Sequence, residues 1–471
     1  MENAIRNVLA LFSGGVRYDG EAVAVANPAV LRGVAMDRLV RLAVFGEQEE
    51  RDAARWLIWE LAQEMGCRPA SIHELYMARG RGECGGFTVP AVNLRLLTYD
   101  MARALFRALK AREAGAFICE IARSEIAYTD QRPAEYASVV LAAALREGFA
   151  GPVFIQGDHF QLNPSKYKSR PEAEVQAIEA LIDEALAAGF FNLDIDASTL
   201  VDISLPTLDE QQRVNYTRTA ELTVYVRERE PDGVTVSLGG EIGEVGGKNS
   251  TVEELRAFMD GYRRTLASLG DYAGLSKISV QTGTSHGGVV LPDGSIAEVR
   301  LDLDALRVLS REATERYGLA GAVQHGASTL PEDAFGKFPE YGACEIHLAT
   351  NFQNLVLDHP ALPAELKQEI RSWVLEHCAG ERKASDTEEQ FLYKSRKKAL
   401  GPFKAKLWNL PEPVREAISR DLEARFGFLF DQLRVNGTGE LVEKYVVPPL
   451  LRRSVPGPAA VAAPDDAEAG E

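Results

Sequence analysis

The 471-residue chain has few cysteines, few histidines, no long apolar run and too few cations to balance its acids. The five cysteines, Cys67, Cys84, Cys119, Cys344 and Cys378, are scattered and form no CxxC pair. An odd, widely spaced set argues against a disulfide framework and suits reduced thiols in a cytoplasm. No N-terminal stretch has the basic, apolar and small-residue order of a signal peptide, and no apolar run approaches the length of a membrane span. A soluble, cytoplasmic protein is expected. The 52 Lys+Arg stand against 69 Asp+Glu, for a net charge of −17. That balance argues against general binding to nucleic acid or to an anionic membrane, while leaving room for a local basic pocket that takes a small anion.

What is present is a regular alternation. Short apolar runs at Phe87–Asn93, Gly115–Ile121, Val153–Asp158, Phe191–Asp196, Val234–Gly240, Lys277–Thr282, Gly321–His325 and Glu345–Ala349 are separated by amphipathic stretches. Among the latter are Ala102–Glu113, Ala134–Glu147, Glu172–Ala188, Val252–Leu269 and Leu303–Tyr317. Strands alternating with helices imply parallel crossover units, and eight of them predict a TIM (β/α)8 barrel. An open doubly wound sheet would carry a Gly-rich phosphate loop after its first strand, and FTVPAVNLRLL has none. The expected organisation is a helical N-terminal extension over residues 1–70, the barrel over 71–360, a helical C-terminal extension over 361–455 and a disordered tail over 456–471.

The polar residues of interest fall at the C-terminal ends of these strands, the rim where barrel active sites form. Asp158 and His159 end the third, Asp196 the fourth and Glu241 the fifth; His286 follows the sixth and His325 ends the seventh. Of only seven histidines, three (His159, His286 and His325) occupy equivalent positions on separate strands. Neutral imidazoles converging with a carboxylate suit zinc or a similar divalent ion, with a position left for substrate. His73, His359 and His377 lie in helical or loop segments and read as structural. Asp158, beside a ligand, is read as a general acid or base or as the partner that orients an imidazole. Glu241 is read as a metal ligand or as a group behind one. The Gly326–Ser328 turn, the helix start at Pro331 and the Thr350-Asn351 pair mark an anion site of backbone N–H groups, or ordinary turn and capping chemistry. The basic run Tyr393–Lys406 is read as a solvated helix face, or as a contact for substrate phosphate or a neighbouring subunit.

The motifs PAVN at Pro90–Asn93, GDH at Gly157–His159, EIGEVGG at Glu241–Gly247, SHG at Ser285–Gly287 and HGAS at His325–Ser328 occur in the order typical of class II fructose-bisphosphate aldolases. The chain resembles a divergent member of that family over about residues 71–352. The resemblance implies a metal-dependent lyase that cleaves or forms a carbon–carbon bond in a ketose phosphate through a metal-stabilised enediolate. It implies His159, His286 and His325 as ligands of the catalytic metal, usually zinc, and Glu241 as ligand of an alternative, more buried position. Asp158 matches the aspartate that handles the substrate hydroxyl proton. Asn93 and Ser124 match substrate-contacting positions, and Gly287, Gly326, Ser328 and Thr350 match residues around a phosphate. A sugar phosphate substrate and a homo-oligomer, dimer or tetramer, are implied as partners.

Two departures stand out. Gly246-Gly247 is followed by Lys248-Asn249-Ser250 and at once by a helix at Thr251, so the family's mobile acidic loop is missing, with Glu244 and Glu125 as replacements by residue type. The eighth strand reads His347-Leu348-Ala349-Thr350 where the family has Asn-x-Asp-Thr. These changes keep two rival readings open. One is epimerisation or isomerisation on the same metal-bearing barrel, and the other is a non-catalytic binding or regulatory protein.

Overall fold

The computed structural model describes residues 1–242, 248–283, 291–292, 301–327 and 330–457. His286, Gly287, Ser328 and Glu244, together with the tail from residue 458 onward, lie outside the described residues.

Eight parallel strands close on themselves: β1 (Val89–Asn93), β2 (Ile118–Ala122), β3 (Val153–Gln161), β4 (Asn192–Asp196), β5 (Ser237–Glu241), β6 (Lys277–Val280), β7 (Ala322–Gln324) and β8 (Glu345–Leu348). Each pairs with its chain neighbours, and β8 returns to β1 through Leu348 opposite Val92. The (β/α)8 barrel expected from the alternation of strands and helices is therefore the fold. A two-residue strand, Pro69–Ala70, adds in parallel to the start of β3.

The helices Val252–Leu269 and Leu303–Tyr317 coincide with their apolar periodicity. Thr251 caps the first of them: its hydroxyl accepts from the Glu254 amide at 3.2 Å and the Glu254 carboxylate accepts from the Thr251 amide at 2.8 Å. The helix Leu208–Arg227, between β4 and β5, is not evident from apolar periodicity. It turns Gln212, Asn215, Thr219 and Thr223 inward, so its buried face is partly polar.

Residues 1–70 form the helices Glu2–Ala10, Val34–Phe45 and Gln48–Met65, with a small antiparallel hairpin, Val16–Tyr18 against Val23–Val25, among them. The chain after the barrel runs through the 22-residue helix Glu412–Leu433, which lies on the helix Thr98–Lys110 and pairs Glu423 with Arg107 at 2.6 Å. Residues 446–455 then cross the helix Gln48–Met65, where Trp56 and Trp59 donate their indole N–H groups to the Arg453 and Leu451 carbonyls. The basic run Tyr393–Lys406 is neutralised within the chain: Arg396 pairs with Asp358, Lys398 with Glu381, Lys404 with Glu135 and Lys406 with Glu369. Among the described residues no helix is long and apolar enough to cross a membrane.

Branched aliphatics usually fill such a barrel. Here part of the filling is ionic. Lys277 of β6 is fully buried, with Nζ 2.9 Å from Asp194 Oδ1, 2.5 Å from Glu345 Oε1 and 2.7 Å from Gln156 Oε1. Gln156 donates to Glu120 at 2.8 Å, and Tyr76, from the helix His73–Gly80, donates to Glu345. Gly239 of β5 makes room for this knot, since a Cβ there would collide with the Asp194 carboxylate.

Candidate functional site

Above the Lys277 knot, at the C-terminal rim, β3 departs from regular geometry. Its register with β4 shifts between Gly157 and Phe160, and His159 adopts φ +42°. A bulge at a barrel rim re-aims a side chain, and the left-handed conformation of a non-glycine residue costs about 1–3 kcal/mol that the surrounding structure must offset. Gly157 permits it: a Cβ there would stand 2.5 Å from the Phe160 ring. The bulge brings both members of the Asp158-His159 pair into the mouth, with His159 Nε2 3.7 Å from Asp158 Oδ1.

His159 Nδ1 lies 3.0 Å from Asp196 Oδ2 and 3.1 Å from Glu241 Oε2. The His159 and His325 rings pack with centroids 4.3 Å apart, and donor atoms of His159, Glu241 and His325 all fall within 4.8 Å of one another. His325 Nε2 is 2.8 Å from Ser279 Oγ. Three of the four residues expected around a metal thus converge from β3, β5 and the end of β7. The donors are imidazole nitrogen and carboxylate oxygen, the set that zinc and similar divalent ions take. An oxygen partner on each of these two imidazoles fixes ring orientation in the manner of metal-bound histidines.

Burial disfavours a charged His159, but Asp158, Glu241 and Asp196 outweigh it and hold the imidazole well above its ordinary pKa. Burial pushes the Glu241 carboxyl up to about 7, with Asp196 adding and His159 opposing. Asp158 is pushed up by burial but pulled further down by His159 and His347, ending well below the usual carboxylate range.

Asn93 ends β1 and donates its carboxamide to Asp158 Oδ2 at 3.0 Å and to Glu125 Oε2 at 2.8 Å. Glu125, in the first turn of the helix Arg123–Thr129, also receives Arg95 Nε at 2.5 Å. Ser124 stands exposed in that same turn. Gly326 follows β7 with φ +68°, and Thr350 starts the helix Thr350–Leu357 after β8. Arg425 of the C-terminal helix joins these two loops, reaching Asn351 Oδ1 at 3.2 Å and Glu332 Oε1 at 2.6 Å. His73, His359 and His377 are remote from the mouth: His359 meets Asp421 and His377 stacks on Trp373.

One central residue escaped the reading of the sequence. His347 of β8 lies inside the barrel, its ring centroid 4.1 Å from that of His325. Its Nδ1 is 3.1 Å from Asp158 Oδ1 and 3.3 Å from Glu120 Oε1, and its Nε2 is 2.7 Å from Glu345 Oε1. The signal was strand alternation, because Glu345 and His347 share one face of β8.

The family described as class II fructose-bisphosphate aldolase matches residues 80–399, and the chain belongs to it. Among solved structures, a probable tagatose 6 phosphate kinase from Sinorhizobium meliloti 1021 is 18% identical, with 76% of this chain and 93% of that chain covered and a TM-score of 0.50. A putative fructose-1,6-biphosphate aldolase from Coccidioides immitis is 18% identical over 78% of this chain and 97% of that one, TM-score 0.46. A fructuronate-tagaturonate epimerase from Cohnella laeviribosi is 13% identical over 95% of this chain and 100% of that one, TM-score 0.49. No curated protein matches the chain.

Proposed function

We propose that this class II aldolase family member is a metal-dependent lyase that cleaves or forms a carbon–carbon bond in a ketose phosphate or a related sugar phosphate. The observation that carries the reading is the placement of Asp158: a buried carboxylate 3.7 Å from His159 Nε2 and 3.0 Å from the Asn93 carboxamide, at the mouth of the barrel. His159, Glu241 and His325 are the described residues that would hold zinc or another divalent cation, with His286 as a further ligand expected from the family pattern. Such a cation, when bound, supplies Lewis-acid polarisation of a carbonyl and its adjacent hydroxyl.

The chain's own residues supply the rest. Asp158 takes the proton from the hydroxyl on the departing fragment as the carbon–carbon bond breaks, and returns it in the condensation direction. Asn93 fixes the rotation of that carboxylate through Oδ2. The barrel wall excludes bulk water from Asp158, which is only 5% exposed, and so strengthens each charge interaction around it. Gly326 and Thr350, on the loops after β7 and β8, are the described positions for a substrate phosphate, with Gly287 and Ser328 completing the expected set.

The test is metal analysis of the purified protein combined with an aldol-cleavage screen over sugar phosphates, with and without chelator. Cleavage that chelator abolishes and added metal restores is expected. A metal-replete protein that cleaves none of the panel overturns the reading.

A second reading, epimerisation or isomerisation of the same substrate class, is favoured by one arrangement. Asn93 holds two carboxylates, Asp158 and Glu125, so the mouth offers two acid–base groups rather than one. Product analysis of the same panel separates the two reactions, since an epimerase returns a product of unchanged carbon number.

A further inference from the structure

We infer that His347 is a metal ligand, and that with Asp158 and His325 it forms a fully buried seat for the divalent cation, built without Glu241, the residue that the resemblance implies for the more buried position. The inference rests on the metal-dependent reading above but concerns where the ion sits rather than what reaction follows.

The geometry comes first. Donor atoms of Asp158, His325 and His347 all lie within 4.8 Å of one another, and all three residues are buried, with 5%, 6% and 5% exposure. Ligands about 2.0–2.1 Å from a tetrahedral ion stand about 3.4 Å apart. The 3.1 Å between His347 Nδ1 and Asp158 Oδ1 is already close to that edge. Small rotations of the side chains would therefore admit an ion, with no movement of the strands.

The groups behind the ligands point the same way. Glu345 Oε1 holds His347 Nε2 at 2.7 Å, which leaves Nδ1 facing Asp158. A carboxylate on the far nitrogen is the arrangement that orients a metal-bound imidazole and raises its basicity. On His325, Ser279 plays the corresponding part at 2.8 Å.

Charge supplies the third argument. Glu120, Asp158, Asp194 and Glu345 all lie within 3.7 Å of the His347 ring nitrogens. Among the described residues Lys277 pairs with Asp194 and Glu345 and with neither Glu120 nor Asp158. Glu120 Oε1 accepts no hydrogen bond. A buried carboxylate left without full compensation is costly, and a divalent cation beside Glu120 would relieve that cost. His347 itself brings an imidazole, a strong ligand of divalent metals, to this face of β8.

The two seats share His325, so one ion is expected at either place. With an ion held by Asp158, His325 and His347 the Asp158 carboxylate would be engaged as a ligand, and with an ion held by His159, Glu241 and His325 it would be free to act as a base.

The experiment locates the ion. Crystals of the full-length, substrate-free protein soaked in zinc are expected to show an anomalous peak within bonding distance of Asp158, His325 and His347. In solution, His347→Asn is expected to change the visible absorption spectrum of the Co2+-loaded protein and to weaken Co2+ binding at least about tenfold. A peak confined to His159, Glu241 and His325, or a Co2+ spectrum and affinity unmoved by His347→Asn, overturns the proposal. If the variant does not fold by circular dichroism, the anomalous map of the unaltered protein decides alone. An ion found in this seat in a protein that cleaves no sugar phosphate would sink the lyase reading and leave this one standing.

Discussion

The carboxamide of Asn93 spans two acids, standing 3.0 Å from Asp158 Oδ2 and 2.8 Å from Glu125 Oε2. One amide nitrogen thereby sets the rotamers of two carboxylates that come from different strand ends. Asn93→Ala removes that brace and leaves His159, Glu241 and His325 in place. Turnover is expected to fall about 100-fold, the cost of misplacing a reacting group by about an ångström, with bound metal unchanged. Steady-state kinetics beside metal analysis check this, and unaltered turnover would show that Asp158 needs no such brace.

Asp158→Asn keeps the shape and the oxygen ligand but removes the base. Loss of a general base costs roughly 10²- to 10⁴-fold in rate. The variant is expected to lose turnover to that extent and to retain metal, because His159, Glu241 and His325 remain. A variant that keeps turnover would move the base elsewhere, with Glu125 first in line.

Among the described residues Lys277 carries the one ammonium in the ionic filling of the barrel, against Asp194 at 2.9 Å and Glu345 at 2.5 Å. Lys277→Met preserves volume and strands those two carboxylates. Removing one partner of a buried pair costs about 3–5 kcal/mol. Urea unfolding at neutral pH is the measurement, and a loss under about 1 kcal/mol would mean that the carboxylates take up protons without harm to the fold.

His73 is buried, its Nδ1 has no hydrogen-bond partner, and burial with Arg227 nearby lowers its pKa to about 4. The unfolded chain binds that proton near pH 6.5, while the folded chain resists it until about pH 4. Stability linked to His73 is therefore intact above about pH 6.5 and lost progressively as pH falls toward 4, on the order of 3 kcal/mol in all. His73→Leu is expected to flatten that part of the pH–stability curve of the metal-free protein. Identical slopes for the two proteins between those pH values would show that His73 is not the group responsible.

How much of this was legible in the sequence differs from element to element. The eight strands were visible because β-branched and apolar runs of five or so residues, separated by amphipathic stretches, have few ways to fold except as parallel crossover units. Asp158, His159, Glu241 and His325 were visible because they terminate such runs, and strand ends in a barrel share one rim whatever the intervening sequence. The helix Leu208–Arg227 was obscured by its own polar inner face. His347 was passed over as the loss of an expected asparagine, because its value depends on four acids from three other strands and its own that lie far apart in the chain.

By itself, then, the order of residues determined the barrel and the rim on which its chemistry is placed, since both follow from local periodicity and from where each run stops. Only the closed tertiary structure decided which polar side chains meet inside. Barrel closure brings Lys277 against Asp194 and Glu345, and His347 against Asp158 and His325, and the bulge at His159 turns that imidazole into their midst. Those encounters are set by strand register and stagger around the ring, and the pattern of any one strand does not contain them.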